Sequence, residues 1–383
     1  LLATEPGQQW HTTFKAVQSI SGDKRFDFVD ERSKDMIYEQ LATVVDSDTF
    51  TSSTWAEITA IADTHNNPGN FTALIGYEWT GPSHIHRVIV FKDSAAKVAQ
   101  QLPFSNLDSD RPEDLWAHLS RYEQETGGEA LAIPHNGNLT AGNMFKLEDS
   151  NGNRFSQSYA QTRARWEPLV EVTQTKGDSE THPFLSPDDE FADYETWEGY
   201  DPTKATKSLF QYEYARSALK LGLAQKDQLG VNPFKFGMIG STDAHTSMSG
   251  VEEDNFWGIL SAGEPKPERA KGSIIPGFWA EGGEKVSASG YAAIWAKENT
   301  RDALFSAMKR KEVYATTGPR MTVRFFAGWD YQTDDAFDPD FAKIGYSKGV
   351  PMGGDLTSAP NGKYPQFLIR AIKDPDGANL DRV

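Results

Sequence analysis

The stretch GMIGSTDAH, at residues 237–245 of this 383-residue chain, is a short apolar run that leads into Asp243 and His245. Three other apolar runs end in side chains of the type that ligates metals: Glu78, His135 and Glu171. Each run predicts a buried parallel strand with its ligand at the carboxyl end. In β/α barrels and open α/β sheets, active sites are built at that edge. Four such ends together indicate a metal-dependent enzyme.

The composition predicts a folded protein and excludes several classes of function. The chain has 10 Trp, 13 Tyr and 22 Phe to fill a core, and its net charge of −17 argues against a non-specific nucleic-acid binder. A small anionic substrate is compatible with that charge, because a bound metal reverses the local field. With no cysteine, His and carboxylate are the strong metal ligands. No apolar run approaches the roughly 18 residues that span a membrane.

Strand and helix patterns alternate along the chain, which predicts a parallel α/β layout. Strands are predicted at residues 71–77, 87–91, 130–133 and 236–239. Helices are predicted near 30–45, from 53 to a stop at 66–69, from Pro112 to Gly127, at 203–222 and at 300–311. Beyond residue 313, strand-like segments and loops rich in Gly, Pro and Asp replace the long helical patterns. We therefore predict an α/β unit at 1–320 and the start of a β-rich accessory domain at 321–383.

The pair Asp243 and His245 is the most specific local signal. Residues i and i+2 of a strand point to one face, so both side chains can approach the same ion. A carboxylate with an imidazole suits Zn, Mn or Fe. The alternative is an aspartate that caps the next turn beside a surface histidine.

The other candidates also have structural alternatives. Glu78 is either a metal ligand or the partner of a buried cation, and His135 is either a ligand or a structural histidine. His86 forms a His-x-His pair with His84, although their loop can leave both exposed. Glu171 leads into a polar loop at 173–183, which offers Lys176 and His182 as contacts to an oxyanion or a metal. The alternative is a loop that is only solvated. Lys176 and Arg87 are the candidates to neutralise substrate charge.

Several segments together resemble the bacterial family known as domain of unknown function 3604, which is similar to the PHP (polymerase and histidinol phosphatase) metallohydrolases. They are residues 71–80 with 86–87, 133–145, 167–195, 232–256 and 295–330. The motifs EFADYE at 190–195 and VYATTGPR at 313–320 are long enough to be specific. The resemblance runs from about residue 50 to the end of the chain.

The resemblance implies a distorted (β/α)7 barrel, with a di- or trinuclear metal site at the carboxyl ends of its strands. It would make Glu78 a bridging carboxylate, His135 a ligand, and Asp243 and His245 the terminal pair. His86 matches a family histidine. Either Glu171 or His182 would supply a further ligand, and this choice stays open. The family context also implies a periplasmic or secreted protein.

One departure from the PHP pattern concerns the beginning of the chain. PHP-type proteins start with a strand carrying His-x-His and a second carrying Asp-His, and nothing before Phe71 matches either. The chain also begins at Leu1 without methionine. We expect a fragment of a longer protein that would hold an incomplete metal site. The alternative is a paralogue with a defective site.

The leading hypothesis is a metal-dependent hydrolase, a phosphoesterase, that uses two or three Zn, Mn or Fe ions to activate water. A second hypothesis keeps the metals but assigns an amidohydrolase or lyase reaction on a carboxylated or sulfated molecule. A third is a non-catalytic extracellular or cell-surface binding protein on a relic barrel. The ligands at the strand ends do not distinguish these hypotheses, because the loops determine which bond an enzyme cleaves.

Overall fold

The computed structural model describes residues 48–197, 206–245 and 290–382, together with Gln8, Thr12, Ser247, Met248 and Gly250. Its helices between residues 48 and 382 are α1 (Asp48–His65), α2 (Ala95–Val98), α3 (Pro112–Thr126), α4 (Gln157–Trp166), α5 (Ala215–Leu229), α6 (Arg301–Lys309) and α7 (Phe341–Lys348). The predicted helix at 30–45 lies outside the described residues. Within them, no helix is both long enough and apolar enough to cross a bilayer.

The strands of the described residues form small sheets. They are β1 (Ile75–Trp79), β2 (Arg87–Phe91), β3 (Ala130–Pro134), β4 (Leu169–Gln174), β5 (Gly177–Asp178), β6 (Gly237–Gly240), β7 (Tyr291–Ile294), β8 (Val313–Thr316), β9 (Thr322–Gly328), β10 (Gly349–Pro351) and β11 (Gln366–Ile372). The sheet orders are β1-β2-β3, β5-β4-β6, β7-β8 and β10-β9-β11. The chain is therefore a mixed α/β protein, and the part that the structure describes contains no closed barrel.

The prediction of parallel strands is correct for one pair and wrong for the first sheet. Strands β4 and β6 are parallel, whereas β2 is antiparallel to both β1 and β3. The connection at 80–86 is too short for the crossover of about a dozen residues that a parallel pair requires. Because β1 and β3 both oppose β2, they still run in the same direction. Glu78 and His135 therefore lie at the same edge of the sheet.

The first sheet packs on both faces. Side chains alternate between the faces of a strand. On one face, Trp79, Ile89 and Phe91 join a core with Trp55 of α1 and the buried residues of α3. On the other face, Val90, Leu131 and Ile133 join a second core with Leu169, Ile239, Phe305 and Val313. Strand β3 lies beside β4, and β6 lies beside β8. The second core therefore connects the first sheet to β4, which carries Glu171, and to β6, which precedes Asp243.

Most helix boundaries follow their sequence signals. Helix α1 begins at Asp48, before the predicted start at residue 53, and ends at His65, before the predicted stop. Helix α3 begins at Pro112 and is capped by Gly127, whose φ is 64°. Residues 203–205 of the helix predicted at 203–222 lie outside the described residues, and the described part has other bounds. A short 3₁₀ helix, Lys207–Tyr212, precedes α5, which ends at Gly230 with a φ of 76°. Gly222 lies inside α5 and does not end it. An added Cβ would be 2.1 Å from Asn232 Oδ1, so the glycine permits close packing at this position.

The C-terminal sheet is antiparallel and has its own small core. Strand β9 pairs with β10 and with β11. Phe326, Tyr331, Phe341 and Leu368 pack together between this sheet and α7. The accessory domain assigned to residues 321–383 stays a prediction. The eight-residue helix α7 was not predicted.

A buried ion-pair network links the first sheet to α4. Glu167 receives a hydrogen bond from Arg87 Nε at 2.9 Å on one oxygen and from Arg163 Nε at 3.0 Å on the other. All three residues are at least 95% buried. Burial alone would raise the pKa of Glu167, but the two arginine charges hold this pKa below its ordinary value. One carboxylate therefore pairs with two buried guanidinium groups.

Replacing Glu167 by Gln should destabilise the protein by about 3–5 kcal/mol, because two buried cations would lose their counter-charge. The measurement is the free energy of unfolding in urea. The matched control is Glu125→Gln, at an exposed site on α3, for which a change within about 0.5 kcal/mol is expected. A loss below about 1 kcal/mol in Glu167→Gln would show that the network is not a structural requirement.

Candidate metal centre

Three predicted ligands converge on one face of the first sheet. Glu78 pairs with Val88 across β1 and β2, and Val88 pairs with Ile133 across β2 and β3. Counting two residues along each strand places His86 and His135 on the same face as Glu78. Glu78 Oε1 lies 2.9 Å from His86 Nδ1 and 3.1 Å from His135 Nε2. The carboxylate therefore lies between two imidazoles.

A second group contains Glu78, Asp243 and His245. One ligand atom from each lies within 4.8 Å of the others. The strand-face explanation predicted for this pair is wrong, since β6 ends at Gly240 and Asp243 has a left-handed φ of 52°. Instead, a turn brings the pair together. His245 Nδ1 lies 2.7 Å from the carbonyl oxygen of Asp243 and 3.9 Å from its carboxylate.

The two groups share Glu78, so four other side chains offer ligand atoms around its carboxylate. Their mixture of imidazole nitrogen and carboxylate oxygen is the donor set of Zn, Mn and Fe sites. The buried Nδ1 of His135 has no hydrogen-bond partner among the described residues. Buried polar atoms normally have one, and an ion or water commonly completes such a site. The residues present therefore fit a metal centre.

The charges of the cluster depend on one another. Burial acts to raise the pKa of Glu78, but hydrogen bonds with His135 and His86 outweigh burial and hold this pKa well below its ordinary value. Burial acts to lower the pKa of His135, but Glu78, Glu171 and Asp243 together raise it. The carboxylates thus favour the protonated form of His135, in the same position where a divalent cation would compensate them.

Glu171 and Lys176 lie beside the two ligand groups. Glu171 is buried and accepts a hydrogen bond from the hydroxyl of Ser241. Burial is the main reason that the pKa of Glu171 is raised, and the negative charge of Asp243 adds to it. The ammonium group of Lys176 pairs with the Asp243 carboxylate, and both side chains are at most 10% exposed. This places a cation at the edge of the cluster.

His182 and Arg87 have other surroundings. His182 Nδ1 accepts a hydrogen bond from the backbone N–H of Phe184 at 3.0 Å, and its ring centroid lies 4.7 Å from that of Phe210. Arg87 lies on the face of β2 opposite to His86 and binds Glu167. The structure therefore brings Glu78, His86, His135, Asp243 and His245 together, with Lys176 and Glu171 alongside. It holds His182 and Arg87 in separate contacts.

Sequence reasoning missed three residues that support this arrangement. Ser241 lies in the 237–245 run, two residues before Asp243, and was assigned no role. Glu167 has a usable signal, because Arg163 precedes it by one helical turn. The hydroxyl of Ser179 donates to Asn138 Oδ1 at 2.7 Å, which joins the loop after β3 to the loop after β5. This contact between distant segments has no local sequence signal.

The comparison with known families covers the whole chain. The family profile described as "Protein of unknown function (DUF3604)" matches residues 1–383. The chain belongs to the DUF3604 family. No curated protein and no solved structure shows significant similarity to it. The activity of this DUF3604 protein must therefore be inferred from the chemistry of its site.

A buried carboxyl group supports the loop that leads to His182 in the DUF3604 protein. Asp178 accepts hydrogen bonds from the backbone N–H groups of Glu180 at 2.8 Å and Thr181 at 3.3 Å. Burial raises the pKa of Asp178 from 3.8 to about 7, despite these two donors. The folded protein therefore retains a proton between about pH 4 and pH 7 that the unfolded chain releases.

This proton stabilises the fold at low pH, and its contribution is lost as the pH rises through about 7. Asp178→Asn keeps the position neutral. Its stability relative to wild type should therefore increase by about 2 kcal/mol between pH 5 and pH 8. Urea unfolding at both pH values measures this change, with the exposed Asp188→Asn as control. Equal pH dependence in wild type and Asp178→Asn would contradict a raised pKa.

Proposed function

We propose that this DUF3604 protein is a metal-dependent hydrolase and that phosphate esters are its substrates. The observation that carries the proposal is the pair of three-ligand groups that share Glu78. A carboxylate common to two groups is the arrangement expected of a bridged pair of ions. The resemblance of the ligand segments to PHP metallohydrolases supports the same chemistry. We also propose that the protein has a PHP-like barrel fold and is exported from the cytoplasm.

The chain's own side chains would divide the site between two ions. His86 and His135 would hold one, Asp243 and His245 the other, and Glu78 would contribute to both. Glu171, which lies against Ser241, is a further carboxylate that could serve a third ion. When bound, Zn, Mn or Fe ions would supply an activated water and compensate charge on the attacked centre. The turn at Asp243 and the edge of the first sheet hold these ligands in position.

We assign to Lys176 the role of neutralising the charged group of the substrate. Its ammonium group is largely buried and already lies against the carboxylate of Asp243. A cation in such a position interacts more strongly with a phosphoryl oxygen than a solvated lysine does, because the local dielectric constant is lower. Arg87 is less suited, since it binds Glu167 on the opposite face of the sheet. Lys176 would therefore orient and neutralise the anionic group.

The first test is the metal content of Asp243→Ala. Removing one ligand from the second group should reduce metal from about two equivalents per chain to one or fewer, with the fold retained. Elemental mass spectrometry of the purified protein measures the metal, and circular dichroism checks the fold. His65→Ala is the control, because His65 is an exposed histidine at the end of α1. Retained activity without metal would overturn the proposal.

The second test separates the role of Lys176 from metal binding. Lys176→Met should keep the metal content of wild type but reduce kcat/KM by about a hundredfold, because a charge aimed at the reacting group is lost. The exposed Lys220→Met is the matched control. Hydrolysis of p-nitrophenyl phosphate and of bis(p-nitrophenyl) phosphate provides the assay. An unchanged kcat/KM in Lys176→Met would remove Lys176 from the mechanism.

The same assay distinguishes the competing functions. Hydrolysis of an amide or a sulfate ester, with phosphate esters left intact, would favour the amidohydrolase or lyase hypothesis. A protein that holds less than about a tenth of an equivalent of metal, even after metal is added, would not be a metal-dependent enzyme. Polysaccharide binding by that metal-free protein would favour the binding-protein hypothesis.

A further inference from the structure

A cavity of about 250 Å³ lies on the opposite side of the 82–87 segment from the candidate metal centre. Ser83, Ile85 and Arg87 line this cavity. The intervening His86 contacts Glu78, and His84 lies 5.6 Å from His86, centroid to centroid. At 85–87, neighbouring side chains therefore serve different sites: Ile85 and Arg87 line the cavity, and His86 contacts Glu78. The cavity is separate from the ligand cluster and independent of the proposed hydrolase activity.

Four cationic side chains line the cavity: Arg87, Arg111, Lys146 and Arg163. Two carboxylates, Asp110 and Glu148, line it as well. The lining therefore has more positive than negative groups, in a protein whose net charge is −17. Glu167, behind the wall, compensates only one of the two buried arginines that it binds. Such a concentration of positive charge in a concave surface attracts anions.

The two buried arginines retain unused donors. Arg87 donates from Nε to Glu167 and from Nη1 to the carbonyl of Ile85. Arg163 donates from Nε to Glu167 and from Nη2 to the carbonyl of Met144. Arg87 Nη2 and Arg163 Nη1 have no hydrogen-bond partner within the described part of the chain. Both residues are at least 96% buried and line the cavity. Glu167 holds the two guanidinium groups in fixed positions.

A third guanidinium group contributes in the same way. The Nε of Arg111 is buried and makes no hydrogen bond to any described residue, although Glu113 and Asp114 lie 4.0 Å from it. The ammonium group of Lys146 makes no ion pair with any residue in the described ranges. Buried donors without partners are uncommon and indicate that a ligand or water completes the site. Guanidinium groups are suited to carboxylate, phosphate and sulfate because their N–H groups match two oxygens at once.

We propose that this cavity binds the oxyanion of a small hydroxylated acid, such as a sugar acid or a sugar phosphate. Arg87 and Arg163 would bind the oxyanion from fixed positions, and Arg111 and Lys146 would add charge from the more exposed side. Asp110 and Glu148 would accept hydrogen bonds from hydroxyl groups of the same molecule. The volume is slightly below the usual range of roughly 300–1,000 Å³ for ligand pockets, which fits a molecule of monosaccharide size.

Isothermal titration calorimetry of the full chain, as purified, tests this proposal at constant ionic strength. The probes are glucuronate, glucose 6-phosphate, inorganic phosphate and sulfate. We expect saturable binding of at least one sugar acid or sugar phosphate. Lys146→Met and Arg111→Gln should each weaken it about tenfold, because each removes a charge-assisted contact. Both side chains are partly exposed and lie outside the Glu167 network, so these variants should fold.

Two controls locate the binding site. Lys220→Met removes an exposed lysine from α5, away from the cavity lining, and should bind the probe as wild type does. Glu78→Gln alters the candidate metal centre and should also leave this affinity unchanged. The proposal is overturned if no probe binds saturably or if the Lys146→Met/Arg111→Gln double variant binds within about threefold of wild type. It is equally overturned if Glu78→Gln alone abolishes binding, since the anion would then lie at the metal centre.

Discussion

The alternation of side chains in the β1–β2–β3 sheet is the constraint on which both sites depend. Glu78, Val88 and Ile133 form one cross-strand row, so their side chains share a face. His86 and His135 lie two residues from Val88 and Ile133, and therefore lie on that face as well. Arg87 lies on the other face for the same reason. A shift of β2 by one residue would exchange its two sets of side chains. The apolar cores on both faces oppose such a shift.

Electrostatic compensation differs between the two faces. At the ligand cluster, Lys176 pairs with Asp243, and His86 and His135 contact Glu78. On the other face, Glu167 is paired with two arginines, so positive charge remains. The first arrangement suits cations and the second suits anions. One small sheet thus separates two environments of opposite charge preference.

Particular residues show how far sequence reasoning reaches. Pro112 and Gly127 define α3 through local backbone preferences, so their positions were predictable. Gly222 was misinterpreted as a helix end because its role depends on Asn232, a neighbour in the fold. The parallel direction assigned to β2 relative to β1 and β3 was wrong, because apolar runs indicate burial but not strand direction. The short 80–86 connection was the available signal for an antiparallel pair.

The sequence by itself determined which residue types were available as ligands, since a chain without cysteine must use His and carboxylate. It also determined that these residues follow apolar runs, which places Glu78 and His135 near strand ends. Only the tertiary structure decided that Glu78 is shared by two ligand groups and that Arg87 belongs to a network with Glu167. Those partners are distant along the chain. Their proximity arises from strand direction, register and turns, which depend on packing of the whole domain.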